Sequence, residues 1–167
     1  MKRFLCFVLT ALTAIFCGCS KDDEKVRNQY EKPVRTMVLA ISEKDNSSLL
    51  RCYASPIADD YKSDENSDEK LAETLYDSVY ETVGESFFLG VTVEGKTEIE
   101  GEELEELCKE VKNGIKIKMA YRLEVKLSAT VADKSYSCQI ELVVGKIGSS
   151  WYICSPVIEK LDLTADK

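Results

Sequence analysis

The chemistry open to this chain of 167 residues is narrowed by what it lacks, since there is no histidine. That removes the commonest general base, the Ser/His and Cys/His nucleophile pairs, and every metal site that needs an imidazole. Carboxylates, Tyr, Lys and Cys are left. Asp64-Glu65-Asn66-Ser67-Asp68 alternates oxygen ligands as a calcium loop does, but Glu69 stands where the turn needs Gly and Leu75 where a bidentate Glu belongs. A solvated loop leading into a helix cap is the expectation there. Glu98, Glu100, Glu102, Glu103, Glu105 and Glu106 are dense enough to supply an acid and a base, yet carboxylates gather at a helix start because the dipole favours them. No metal site and no cofactor is expected, and no catalytic residue is assigned.

Cys52, Cys108, Cys138 and Cys154 form a second group. An even number permits disulfides in an oxidising compartment, in a connectivity the sequence does not choose. Cys108 and Cys138 also fall on apolar faces, so buried free thiols fit equally and both readings stand open. These four contain no Cys-x-x-Cys pair, which speaks against redox catalysis and against zinc. Tyr121, Tyr136, Trp151 and Tyr152 are the aromatic candidates for a pocket, against the alternative that they are core.

Three features of the N-terminus follow one another: the basic head Met1-Lys2-Arg3, the apolar run Phe4 to Phe16, and Cys17-Gly18-Cys19-Ser20. The run is too short to span a bilayer and ends in small residues, so it reads as a secretion signal. It resembles a bacterial lipoprotein signal, in which Gly or Ala precedes the Cys that receives the lipid. Gly18 and Cys19 match that pattern, while Phe16 and Cys17 depart from its aliphatic and Ala/Ser positions. The resemblance implies cleavage between Gly18 and Cys19 and a diacylglyceryl group on the Cys19 thiol. Residues 1–18 are then the signal, 19–31 a polar tether of roughly 20 Å typical reach, and 32–167 a single domain. Without Lys2 and Arg3 the 22 basic residues become 20 against 30 acids, and the formal charge moves from -8 to -10. Such a balance argues against nucleic acid and anionic lipid head groups as partners.

What must position these side chains is organised around Ile115 to Val131, where apolar residues hold the odd positions and polar ones nearly all the even. A period of two marks a strand with one buried face. Seventeen residues would reach about 55 Å, three times a usual strand, so it must curl or bulge under a helical layer. Pro33 opens a first helix to about Lys44, and the cap-type residues Asp45, Asn46 and Ser47 precede a short second one that ends before Pro56. Residues 59–69 read as an acidic loop in which Ser67, Asp68 and Glu69 start a third helix, with a stripe from Leu71 to Val83 and Gly84 closing it, and Glu102 to Asn113 as a fourth. Phe87 to Val93 reads as a strand continuing past a turn at Gly95. Tyr136 to Val144 and Trp151 to Cys154 complete an antiparallel meander.

The run from Glu110 to Val125, the later Val144-Gly145-Lys146-Ile147-Gly148-Ser149-Ser150-Trp151-Tyr152-Ile153 and the lipoprotein signal together resemble small bacterial lipoproteins with a cystatin-like domain, related in shape to nuclear transport factor two. The resemblance implies an α+β fold with N-terminal helices packed on a curved antiparallel β-sheet, closing as a cone over about Pro33 to Val157. It carries no functional residue. The expected role is that of a membrane-anchored extracytoplasmic module, non-catalytic, that binds a ligand or an envelope protein. One alternative is a small isomerase or hydrolase working from carboxylate and Tyr inside the cone. A structural part in envelope assembly is the other.

Overall fold

A computed structural model describes residues 29–84, 87–111, 115–132 and 134–166. Four helices come first: α1 (Lys32–Ser42), α2 (Asn46–Arg51), α3 (Ser55–Ser63) and α4 (Leu71–Val83). Pro33 sits in the first turn of α1, where its missing N–H costs nothing, and Val34, Met37, Val38 and Ile41 form its buried stripe. Asp45 starts α2 by accepting a hydrogen bond from the Ser48 backbone N–H at 3.0 Å. Helix α3 corrects the expectation of a loop from Asp59. Pro56 stands in its first turn, so the residue that ends one helix begins the next, and Ala58 anchors it while its acids stay wet.

The strands are β1 (Phe88–Ile99), β2 (Ile117–Val131), β3 (Lys134–Ile147), β4 (Ser150–Ile153) and the short β5 (Thr164–Ala165), with α5 (Gly101–Glu110) between β1 and β2. They make one open antiparallel sheet in the order β1-β2-β3-β4, and β5 pairs with β3 beyond the end of β4. The turn expected at Gly95 is instead a bulge between Val93 and Gly95, so β1 runs on unbroken to Ile99.

Alternation along β2 is as the sequence requires over its central part. Leu123, Val125, Leu127 and Ala129 are at most 1% exposed and pack against α1, α2 and α4 in the main core. Glu124 points to solvent, and Arg122 and Lys126 lie half-exposed on the same side. Nearer its start the rule inverts: Met119 is 38% exposed and Ala120 fully buried. Between Ile117 and Ala120 the register against β3 slips by one residue. An inserted residue exchanges the two faces, so Ile117 and Ala120 both turn toward α5. There they join Ile99, Leu107, Val111 and Cys154 in a second, smaller core on the reverse face of the sheet. The sheet therefore carries helices on both faces, not one helical layer.

The C-terminal segment closes the main core with Leu161 and Leu163. Tyr53, 2% exposed, holds it in place: its hydroxyl accepts from the Ile158 backbone N–H at 3.2 Å and donates to Met37 Sδ at 3.7 Å.

Candidate functional site

At the mouth of the main core, where α1 begins, three rings meet. Trp151 of β4 stacks on Tyr121 of β2 with centroids 5.4 Å apart and planes 16° apart. Tyr30, just ahead of α1, sets its edge against both, at 5.3 Å from Tyr121 and 6.2 Å from Trp151. Lys96 of β1 places Nζ over the faces of Tyr30 and Tyr121, 4.8 and 4.5 Å from the centroids. Each such cation–ring contact contributes about 0.5–1 kcal/mol at an exposed site. The cluster fixes the β3–β4 hairpin against the start of α1.

Beside it opens a groove of about 490 Å³, walled by the first turns of α1, the end of α2 and the β3–β4 hairpin. Its size falls within the range of small-molecule sites. Trp151 supplies its aromatic wall, Lys32 and Arg51 its charges, and Thr36, Ser48, Ser149 and Ser150 its hydroxyls, while Tyr152, which also borders it, packs in the reverse-face core. Cys52 lies in its floor as a neutral thiol, which burial pushes up to about 11. Among the described residues no carboxylate lines it. Two further concavities differ in this respect. One of about 450 Å³ includes Asp162, and one of about 390 Å³ includes Asp60, Asp64, Glu110 and Glu159.

The other candidates are dispersed. Asp64 accepts from the backbone N–H and side-chain amide of Asn66, and Asp68 accepts from the Lys70 N–H and the Thr74 hydroxyl at the entry to α4. These carboxylates close local turns. Among the described residues no group of three or more Cys, Asp or Glu is placed to hold a metal ion. Of the clustered glutamates, Glu103 of α5 takes one Nη of Arg122 at 2.5 Å while Glu141 takes the other at 2.6 Å, all on the exposed reverse face. Glu98 stands directly across from Tyr121 in the β1–β2 register, but it is exposed. Desolvation, and secondarily the Glu98 charge, raises the Tyr121 phenol above its usual value. Tyr136 packs half-buried against the main core near the far end of β2.

The four thiols are unbonded in the structure. Cys108 and Cys154 share the reverse-face core, whereas Cys52 and Cys138 lie apart in the main one. Gly145 lets Cys154 approach closely, since a Cβ there would meet its sulfur at 2.8 Å and force a shift. Gly18 and Cys19 lie outside the described residues.

Trp151 and Tyr121 are thus brought to one place as their aromatic character suggests, whereas Tyr152, next along β4, packs in the reverse-face core. Tyr30, Lys32, Arg51 and Lys96 were not legible as their companions. Tyr30 and Lys32 flank Glu31 at the end of a polar stretch read as tether, and Arg51 and Lys96 carry no pattern that separates them from other surface cations. No family model, curated protein or solved structure matches the chain.

Proposed function

We propose that this protein is a lipid-anchored, extracytoplasmic binding module of cystatin-like shape, tethered through Cys19 and using the groove beside Trp151 to hold a ligand. The observation that carries the binding reading is the filling of the space between helices and sheet. Leu123, Val125, Leu127, Leu142 and Val144 occupy the face on which a cone enzyme would hold its cavity. No charged side chain is buried among the described residues. The groove at the rim combines an aromatic wall with a few polar groups, which is the usual make-up of a small-molecule site. Its position at the start of α1 puts it where a tether of roughly 20 Å would join the domain, close to a membrane surface.

Two measurements on the full chain test this. Grown with an alkyne fatty acid, cells should label the parent and not the Cys19→Ala variant; label retained on Cys19→Ala contradicts the anchor. In a melting-shift panel of neutral, anionic and cationic small molecules, at least one compound should raise the transition of the parent and not of Trp151→Ala. A panel in which nothing moves the parent contradicts the binding reading.

A further inference from the structure

We infer that the ligand of this groove is a small organic anion, whose carboxylate or phosphate is held by Lys32 and Arg51 while its planar or apolar body lies against Trp151. This deepens the binding reading and rests on it. In a chain of net formal charge -8, a concavity whose charged lining, among the described residues, is two cations and no acid carries a local field opposite to that of the whole.

Among the described residues, the acids nearest to the two cations are engaged elsewhere. Glu31, next to Lys32, is engaged by Arg35 at 2.6 Å. Asp45, the acid within electrostatic reach of Arg51, accepts both the Ser48 N–H and its hydroxyl. Arg51 itself donates to Ser47 Oγ at 2.7 Å through one Nη, and a guanidinium has further donors to offer.

The position of Lys32 adds a second argument. It opens α1, a helix with no acid in its first turn, where the macrodipole disfavours a cation. Helix stability therefore gives no reason for it, and the groove does. Ligand size follows from the volume of about 490 Å³, which suits a small molecule and not a polymer chain. A soluble anion is favoured over a lipid head group because the excess of acids over the whole chain repels an anionic bilayer.

Trp151 is the only tryptophan, so its emission reports from this wall alone. The full chain in phosphatidylcholine vesicles would be titrated with 4-nitrobenzoate, the neutral 4-nitrobenzamide and the cationic 4-nitrobenzylammonium, following quenching. Saturable quenching by 4-nitrobenzoate is expected, with the amide and the ammonium at least about tenfold weaker, consistent with a charge-assisted contact. In Lys32→Gln/Arg51→Gln, with its melting temperature unchanged, benzoate affinity should fall at least about tenfold while the amide is unaffected. Equal affinity for all three probes, or full benzoate affinity in that variant, overturns the anion assignment and leaves a groove that binds. No saturable quenching by any probe overturns the binding reading itself. Displacement of 4-nitrobenzoate by added phosphatidylglycerol vesicles overturns the soluble ligand in favour of a lipid head group.

Discussion

Tyr53 shows how one polar atom can organise two distant segments. Its hydroxyl is the partner of the Ile158 N–H, 105 residues away, inside the core. Tyr53→Phe keeps the ring and leaves that N–H without its acceptor, so a loss of about 1–3 kcal/mol in urea unfolding is expected. Hydrogen bonds from Ser48 to Asp45, from Thr74 and Lys70 to Asp68, and from Ser137 to Asp166 hold three carboxyls below their ordinary 3.8. In acid the unfolded chain then binds more protons than the native one. The stability these groups contribute is complete above about pH 5 and is lost as pH falls through about 4 and below. Burial acts in the opposite sense on the thiols, raising Cys52 from 9.0 to about 11 and Cys154 from 9.0 to about 12. Here the native state keeps protons that the unfolded state has lost, so stability declines as pH rises above about 9. With no histidine to titrate between these limits, melting temperature of the reduced protein should be level from about pH 5 to 8.5.

At the scale of elements, β2 divides into a part whose burial can be read from sequence and a part where it cannot. From Leu123 to Ala129 the chemistry of each side chain and the geometry of the pleat agree, because a single face must be dry. The slip between Ile117 and Ala120 is marked in the sequence only by Ala120, the one apolar residue at an even position, and alanine fits either face. Its cause is tertiary: α5 needs an apolar floor on the reverse side, and one extra residue supplies it. Met119→Lys should therefore change stability by no more than about 0.5 kcal/mol. Ala120→Asp places a carboxylate in the small core and should cost several kcal/mol, on the order of 3 or more. Strict odd–even alternation predicts the reverse order, so chemical denaturation of the two variants separates the readings. Pro56 is ambiguous in the same way, because proline both ends a helix and favours the first turn of another; only the burial of Ala58 decides for α3.

For the whole molecule, the α+β class, the four-stranded meander and the filling of the sheet by the N-terminal helices follow from patterns of apolar residues. What period and propensity do not carry is which surface residues converge. Trp151 stands out by type, but Lys32 and Arg51 reach it only through the docking of α1 and α2 on the hairpin. The consequence is a cationic, aromatic groove on an acidic protein. Its most direct test is the relative quenching of Trp151 by iodide and by caesium at equal ionic strength, each normalised to free N-acetyltryptophanamide. A locally positive groove makes iodide the more effective quencher despite the net charge of -8, whereas caesium prevailing, as the overall charge alone dictates, contradicts the account.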